Sequence, residues 1–253
     1  LELYIGEDVF RKGCQIYMAK HAFANTETAD LWNALQTAVN EAGLNIPVAE
    51  MMDTWVFQQG FPLVTASRSG NKLQVRQQAF RYLNEQGKKN QLWYVPLAVR
   101  GSVSSDEKCF VLSEAEQSFP LSDEAGLLVL NANGKGFYRV AYSDELLQYL
   151  LANLQLLSPP ERFNLISDLW AATLSGEMSS TAYLQNLRLI VSQETDVNVF
   201  SVILGSIAYL RRVVACSLMD QQNSFITFCA ELLVPVLDKI GWDKEQGELE
   251  QNA

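Results

Sequence analysis

The sequence contains one histidine, His21, so any chemistry that needs an imidazole has to use this side chain. A zinc hydrolase site of the H-E-x-x-H type uses two histidines one helical turn apart. A Ser-His-Asp or Cys-His device needs a nucleophile in a recognisable arrangement around its histidine. His21 follows "MAK" near the predicted end of a helix, and no candidate nucleophile has that spacing. The simpler interpretation is a helix-terminal histidine that interacts with the helix dipole.

The cysteines could in principle bind a metal or form disulfides. They are Cys14, Cys109, Cys216 and Cys229. They form no C-x-x-C pair and no cluster at metal-ligand spacing, so buried free thiols are expected. A disulfide between Cys216 and Cys229 is the alternative, and it would imply an oxidising compartment.

Glycine-rich and acidic motifs are a further source of phosphate or acid/base sites. The string "NANGKG", residues 131–136, lacks the G-x-x-x-x-G-K-[ST] spacing and precedes a strand, so it is predicted to be a turn. Three acidic pairs fit solvated carboxylates at helix starts or turns. These pairs are Glu7 with Asp8, Asp123 with Glu124, and Asp144 with Glu145.

Large aromatic residues could stack on a ligand, but here they fall on the apolar faces of predicted elements, which favours core packing. The tryptophans in question are Trp32, Trp55, Trp93 and Trp170. Composition, periodicity and spacing therefore predict no catalytic, no cofactor-binding and no metal-binding residue in this chain.

The composition of the chain limits its class and its partners. With 253 residues and 48% hydrophobic residues, it has enough material for one large domain or two to three small ones. The formal net charge of −10 argues against a nucleic-acid partner, because binding phosphates needs clustered Lys and Arg. Attraction to cationic or amino-terminal ligands remains compatible with this charge.

Residues 1–60 show the period of amphipathic helices. The first helix, "DVFRKGCQIYMAKHAF", is weakened but not broken by Gly13, and its apolar stripe comprises Val9, Phe10, Cys14, Tyr17 and Met18. The second, "NTETADLWNALQTAVNEAG", has Thr26 or Thr28 as a cap and Gly43 as a stop. Its predicted buried face comprises Leu31, Leu35, Ala38 and Val39. The third helix is expected to run from Pro47 to Gly60.

The period changes to that of short strands over residues 61–142. "KLQVRQQAF", "LWYVPLAVRG", "KCFVLS", "GLLVLNAN" and "GFYRVAY" are rich in aromatic and β-branched residues, and turn signals separate them. Pro96 indicates an edge position or a bulge. Together they predict a small antiparallel β-sandwich.

Residues 143–253 return to a helical pattern. "SPPERFNLISDLWAATLSG" carries the sharpest start signal, because Ser158 can cap, Pro159 fits the first helical position, and Glu161 completes a capping box. Apolar helices joined by short loops predict stacked antiparallel hairpins, as in a helical-repeat solenoid. The whole chain is therefore predicted to be an α+β multidomain protein.

Several of these motifs together resemble one family. "HAFANTETADLWNAL", "MDTWVFQQGFPLV", "NANGKGFYRVAY" and "LSPPERFNLISDLWAATLSGEMSSTAYL" are similar, in this order, to signatures of the aminopeptidase N family of zinc metallopeptidases. The closing "LDKIGWDKEQGELE" resembles a further stretch of that family's C-terminal helical domain. The resemblance implies that residues 1–60 are the helical tail of a thermolysin-like catalytic domain, 61–142 a β-sandwich, and 143–253 the first part of the helical domain.

The resemblance also implies where the family's chemistry resides. Its zinc ligands lie in H-E-x-x-H with a downstream Glu, a G-A-M-E-N loop holds the substrate's amino terminus, and a Tyr stabilises the tetrahedral intermediate. None of these motifs occurs in this sequence, and Tyr4 lacks the context of that Tyr. The zinc of the parent enzyme is thus expected to be bound upstream of Leu1, and this chain alone is expected to bind none and to be inactive.

The resulting hypothesis is a C-terminal fragment of a zinc aminopeptidase, which braces the catalytic domain and begins the helical bowl that limits access of peptides. The alternative is a stand-alone helical scaffold or peptide-binding protein derived from such an enzyme. The exposed face of residues 1–60 is expected to promote self-association. No apolar run reaches the length of a membrane span. The scattered cysteines favour a cytoplasmic enzyme over a membrane-anchored ectodomain.

Overall fold

The computed structural model describes residues 1–82, 91–101, 107–121, 126–217 and 221–240, with the side chains of 215–217 and 239–240 excepted. The chain is a mixed α+β protein that divides into two compact units, Leu1–Leu146 and Leu147–Ala253. The period change predicted at Gly60 falls inside the first unit. The described part of that unit contains four helices before the strands and two small sheets.

Four helices occupy the start of the first unit. They are α1 (Glu2–Ile5), α2 (Glu7–Lys20), α3 (Thr28–Glu41) and α4 (Val48–Val56). The cap of α3 corrects the sequence prediction, because Glu27 is the N-cap and the Asp30 carboxylate accepts a hydrogen bond from the Glu27 amide at 2.9 Å. Thr26 instead hydrogen-bonds Tyr17 at 2.7 Å between the two hydroxyls. A carboxylate can accept backbone hydrogen bonds at a helix start as a hydroxyl can, so the sequence pattern did not distinguish Glu27 from the threonines.

The helical core of this unit lies between α1, α3 and the start of α4. Ile5, Leu35, Val39, Ile46 and Val48 are its buried residues, each at most 8% exposed. Met18, which the sequence placed on the buried stripe of α2, is 67% exposed. The apolar stripe of α2 is therefore shorter than predicted.

Helix α4, the third helix of the sequence prediction, ends earlier than predicted. It stops at Val56, with Phe57 as its C-cap, four residues before Gly60. Gly60 has a φ of +92°, which a residue with a side chain rarely adopts. It redirects the chain into the first strand instead of ending the helix.

The two small sheets contain seven strands. They are β1 (Pro62–Ser69), β2 (Lys72–Ala79), β3 (Val95–Gly101), β4 (Lys108–Leu112), β5 (Glu116–Pro120), β6 (Leu128–Leu130) and β7 (Arg139–Tyr142). One sheet has the order β5-β2-β1-β7 and the other β4-β3-β6. The prediction of an antiparallel arrangement is wrong for one pair, because β1 and β7 run parallel, with Val64 opposite Val140.

Both sheets contribute to one apolar core. All seven strands place side chains in it, together with Trp93, Tyr138 and Leu146. Pro96 lies in the central strand β3, yet β6 pairs with β3 only from Val99 onward. Pro96 therefore has a strand partner on one side alone, which suits a residue that cannot donate a backbone hydrogen bond.

Helices follow strand β7. They are α5 (Asp144–Ala152), α6 (Pro159–Ser175), α7 (Ser180–Val191), α8 (Val197–Ser217) and α9 (Gln222–Ile240). The predicted capping box of α6 is confirmed, since the Glu161 carboxylate accepts a hydrogen bond from the Ser158 amide at 2.8 Å. Gly176 ends this helix with a φ of +82°.

Among the described residues, α8 is the one helix long and apolar enough to cross a membrane by length and composition. The 18-residue window Val197–Val214 has a mean hydropathy of 1.5 and is 28% buried inside the protein. The expectation that no segment reaches this threshold is thus corrected. The buried helix of a water-soluble protein passes the same test, and α8 packs against α6 and α9.

Candidate functional site

The single histidine ends α2 at the turn before α3. His21 is the C-cap of α2, as its sequence position predicted, and its backbone amide donates to the Tyr17 carbonyl at 3.1 Å. Its Nε2 lies 3.7 Å from Asp30 Oδ1, and the Tyr17 ring is 5.5 Å away, centroid to centroid. The contact with Asp30 joins the end of α2 to the start of α3.

Three of the four cysteines are described as free thiols. Cys14, Cys109 and Cys229 are each half-buried, so the prediction of fully buried thiols is too strong for them. Burial raises the pKa of Cys109 and of Cys229, which keeps both in the unreactive thiol form near neutral pH. The side chain of Cys216 lies outside the described part of the chain.

The described residues assemble no ligand set for a catalytic zinc. Over the described ranges, no three His, Cys, Asp or Glu side chains come together as a possible metal site. A catalytic zinc of this class uses about three protein ligands, and His21 has a single carboxylate near it. Tyr4 packs against the helical core instead of facing such a site.

The string "NANGKG" forms a turn, as predicted. Asn131 has a φ of +55°, and its side chain binds Gly136 twice: Oδ1 accepts from the Gly136 amide at 2.6 Å and Nδ2 donates to the Gly136 carbonyl at 3.1 Å. On the outside of the turn, Lys135 and Asn133 both contact the Glu107 carboxylate, each at 3.2 Å. These contacts position the turn before β7, and the Gly134 and Gly136 amides both donate to Asn131 inside it.

The most developed polar contacts of the first unit join α4 to the segment that precedes β3, and we call this set the junction clamp. Trp55 Nε1 donates to the Tyr94 carbonyl at 2.9 Å, and the Tyr94 amide donates to Thr54 Oγ1 at 3.2 Å. Gln58 Nε2 donates to the Leu92 carbonyl at 2.9 Å. Thr54 and Trp55 near the end of α4, and Gln58 just after it, thus attach the segment before β3 to this end of the helix.

A buried glutamine extends the clamp into the sheets. Gln77 on β2 is 3% exposed, and its Oε1 accepts from the Trp93 amide at 2.9 Å. Its Nε2 donates to the Trp93 carbonyl at 2.9 Å and to the Glu114 carbonyl at 3.0 Å. The Trp93 ring is fully buried and lies 6.4 Å from the Trp55 ring. The helical region and both sheets therefore share one continuous contact network.

The second unit contains a buried ion pair. Arg162 on α6 binds Glu194 through two hydrogen bonds, Nε to Oε2 at 2.8 Å and Nη2 to Oε1 at 2.9 Å. The Glu194 side chain is 1% exposed. Glu194 Oε1 also accepts from the Thr195 and Asp196 amides at 2.8 Å, and Arg162 donates to the Leu157 carbonyl at 2.7 Å. Every polar atom of the pair is used to hold the α7–α8 loop against α6.

The helical region also exposes large apolar side chains. Phe23, between α2 and α3, is 111% exposed and has a φ of +58°, which is strained for a residue with a side chain. Phe57, after α4, is 72% exposed. Both aromatic side chains therefore present apolar surface to solvent.

Two family models match the chain. The "Peptidase family M1 domain" matches residues 1–55, and the "ERAP1-like C-terminal domain" matches residues 127–253, half of the chain. The chain belongs to peptidase family M1. The resemblance to the aminopeptidase N family is thereby confirmed, and so is its assignment to the C-terminal part of that family.

Curated relatives of this M1 chain support the same assignment. Aminopeptidase M1-A of Oryza sativa subsp. japonica is 29% identical over 257 residues, which cover 98% of this chain and 28% of the relative. Puromycin-sensitive aminopeptidase of Caenorhabditis elegans is 37% identical over 72% of this chain and 20% of the relative. Tricorn protease-interacting factor F2 of Thermoplasma volcanium is 32% identical over 77% of this chain and 23% of the relative. The chain thus spans less than a third of the length of these relatives.

Sequence reasoning missed the polar residues that hold the M1 chain together. Gln77 carried a usable signal, because strict alternation in "KLQVRQQAF" places it on the same face as Leu73 and Val75. A glutamine on the inward face of a strand needs buried partners. Glu194 and Gln58 carried no such signal, because their partners are distant in sequence.

Proposed function

We propose that this chain is the non-catalytic C-terminal portion of a zinc aminopeptidase that removes N-terminal residues from peptides. The observation that carries the proposal is the order of the two family matches, an M1 peptidase segment over residues 1–55 and an ERAP1-like segment from residue 127. The relatives named aminopeptidase align with the same region.

The role of the chain in that enzyme is to brace the catalytic domain. The M1 peptidase match ends inside α4, whose Thr54 and Trp55, with Gln58 just beyond the helix end, bind the segment before β3. A displacement of the sheets is therefore transmitted directly to the end of the peptidase segment. The division proposed for the chain is a catalytic tail over 1–60, a β-sandwich over 61–142 and a helical-repeat domain over 143–253, and its support is the change from helices to strands after α4 and back to helices at α5.

Zinc belongs to the parent enzyme in this proposal. When bound there, it would activate the water that attacks the peptide bond. The residues described here supply no ligand set for it, so no step of the reaction is assigned to them. The chain's own share is to position the segment that contains the metal site and to shape the access of peptides.

The proposed partners follow from charge and exposure. Peptides reach the site through the parent enzyme, and the net charge of −10 suits their positively charged amino termini better than nucleic acid. The rest of the peptidase domain is the expected partner of residues 1–60. Without it, the exposed Met18, Phe23 and Phe57 favour self-association of the chain.

A cytoplasmic location is proposed over a membrane-anchored ectodomain. The support is the free, half-buried state of Cys14, Cys109 and Cys229, which form no disulfide among the described residues. The packing of α8 against α6 and α9 supports a helix of a folded domain.

A chimaera tests the proposal. The region of rice Aminopeptidase M1-A that aligns with this chain is replaced by the chain, and hydrolysis of an aminoacyl anilide and zinc content are measured. The chimaera should be active with zinc bound, and the same chimaera carrying Gln58→Ala and Trp55→Ala should lose activity. A folded but inactive parent chimaera would contradict the assignment of this chain, and full activity of the folded double variant would contradict the bracing role.

The chain alone provides the second arm. After dialysis it should retain no stoichiometric zinc and hydrolyse no anilide. One tightly held zinc per chain, or turnover abolished by a chelator, would show that the active site has been misplaced. Tight binding of free peptides by the isolated chain would favour the stand-alone scaffold instead.

A further inference from the structure

The turn "NANGKG" contains the only Asn-Gly dipeptide in the sequence, Asn133–Gly134. Asn-Gly is the dipeptide most prone to spontaneous deamidation, because glycine has no side chain to hinder attack by its own amide nitrogen on the asparagine side chain. Asn133 is exposed to water. The chemical requirements for a reaction at this position are therefore present in the covalent structure.

We propose that Asn133 is a deamidation site that the folded turn holds in an unreactive geometry. In the reaction, the Gly134 nitrogen loses its proton to water or hydroxide and bonds to Asn133 Cγ. The Cγ–Nδ2 bond then breaks, and the nitrogen takes up a proton and leaves as ammonia. Water opens the resulting succinimide at either carbonyl and gives aspartate or isoaspartate. No oxidant, reductant or enzyme is required.

The backbone of the turn keeps the reacting atoms apart. Ring closure requires the Gly134 nitrogen to rotate to the same side of Asn133 as Cβ, which needs a strongly negative ψ. Asn133 instead has φ +56° and ψ 14°, which places that nitrogen beside the residue's own backbone nitrogen. The Gly134 amide is also engaged, because it donates to the Asn131 carbonyl at 2.9 Å.

The side chain of Asn131 prevents the turn from relaxing toward the reactive geometry. It binds both the amide and the carbonyl of Gly136, so it closes the turn on the far side of Asn133. Asn131 lacks the two features that make Asn133 reactive, because it is 4% exposed and is followed by alanine instead of glycine. Reaction at Asn133 therefore requires local opening of residues 131–136, and its rate reports that opening.

The product cannot restore the original contacts. In the folded turn, Asn133 Nδ2 donates to Glu107 Oε2 at 3.2 Å, and Lys135 Nζ lies 3.2 Å from the same oxygen. Conversion to aspartate replaces that donor by a carboxylate, so two carboxylates compete for one lysine. Isoaspartate in addition lengthens the backbone inside the turn. Conversion of Asn133 thus weakens the turn, so the modified turn opens more easily.

The test compares conversion at Asn133 in the folded chain and in the same chain in guanidinium chloride, at one mildly alkaline pH. Tandem mass spectrometry of the digest assigns the site and separates Asn133 from Asn131. We expect the folded chain to convert roughly tenfold more slowly, equivalent to about 1.4 kcal/mol of turn closure. Equal rates in the two states, or no conversion in the denatured chain, would overturn the proposal.

Two variants separate the effect of the Asn131 hydrogen bonds from the reaction at Asn133. Asn131→Gly tolerates the positive φ but removes both bonds to Gly136, so folded Asn133 should convert several-fold faster than in the wild type. Asn133→Gly keeps the positive φ and removes the reactive amide, so its residue 133 should remain unmodified. An unchanged conversion rate at Asn133 in folded Asn131→Gly would contradict the proposed role of the Asn131 side chain. If this variant does not fold, the comparison of folded and denatured wild type still tests the proposal.

The product is mimicked by Asn133→Asp. This variant should melt at a lower temperature than the wild type, and Glu107→Gln in the same chain should recover the loss, because it removes the repulsion. High salt should narrow the difference. Equal melting temperatures of Asn133→Asp and wild type would show that the Glu107 contact does not transmit the modification.

Discussion

Gly13 on α2 lies directly against Leu35 on α3, so that a Cβ placed on Gly13 would lie 2.5 Å from Leu35 Cδ2 and 3.0 Å from Leu35 Cα. Leu35 is fully buried and belongs to the helical core. The glycine costs α2 about 1 kcal/mol of helix propensity relative to alanine. In exchange, the two helix backbones approach closely enough to bury Leu35 between them.

Gly13→Ala should therefore destabilise the first unit although alanine is the better helix former. Overpacking against a buried backbone costs about 1–3 kcal/mol, which exceeds or cancels the propensity gain. Gly205→Ala is the matched control, because Gly205 lies inside α8 with nothing within 4 Å of an added Cβ, and it should stabilise by up to about 1 kcal/mol. Urea unfolding, with hydrogen exchange assigned to α2 and α8, measures both. A Gly13→Ala chain more stable than wild type would show that α2 and α3 can separate freely.

Trp55 should dominate the junction clamp. It is half-buried against the sheet core and donates Nε1–H to the Tyr94 carbonyl at 2.9 Å. Trp55→Ala should cost about 3–5 kcal/mol through lost burial and the remaining cavity. Trp55→Phe keeps much of the apolar contact and loses the hydrogen bond, so it should cost about 1 kcal/mol. Denaturant midpoints of Trp55→Ala unchanged within error would show that this face is not packed.

Gln77 should be intolerant of its closest shape analogue. Gln77→Met fills a similar volume but leaves the Trp93 amide and carbonyl and the Glu114 carbonyl without their side-chain partner. Each buried backbone group left unpaired costs about 1–3 kcal/mol. Gln74→Met on the exposed face of the same strand is the control and should change stability by less than about 0.5 kcal/mol. Equal effects of the two substitutions would contradict the buried network.

The kinds of elements could be predicted because the hydrophobic period changes where the elements change. Strand β5 escaped notice since "EQSFP" is polar, and its inward residue with an apolar side chain is Phe119. The parallel pairing of β1 with β7 could not be read at all, because both pairings give the same period of two along each strand. Local signals determined the elements, and pairing direction is not a local property.

The contacts of the candidate site were largely out of reach. Trp55 and Gln58 bind backbone carbonyls 39 and 34 residues away, and a carbonyl looks the same in every residue type. The Glu194 pair likewise spans 32 residues. The family could be recognised from the sequence, because its motifs recur in a fixed order. The absence of a second histidine could also be read, and it argues against a zinc site of the H-E-x-x-H type in this sequence.

The ion pair in the second unit should make that unit sensitive to acid. Burial opposes ionisation of Glu194, but the hydrogen bonds from Arg162 and from the Asp196 and Thr195 amides outweigh it, so its pKa lies below the ordinary value of a glutamate. A folded-state pKa that is depressed contributes stability above the unfolded pKa of about 4.3, and this stability is lost as pH falls through the folded pKa. The loss is thus expected below about pH 4.3.

Glu194→Gln isolates this contribution. At neutral pH it should cost about 1.5–3 kcal/mol, the value of hydrogen bonds to a charged group, because the amide presents its NH2 toward donors that the carboxylate accepted from. As pH falls below about 4.3 the wild type should lose stability toward that of the variant, so the two curves converge. Glu231→Gln is the control, since Glu231 pairs with Arg188 on an exposed surface, and such pairs contribute little. Urea unfolding midpoints, followed by signals from α6 and α7, are measured from pH 3 to pH 7. Parallel plots of midpoint against pH for wild type and Glu194→Gln would mean that the buried carboxylate does not titrate with folding.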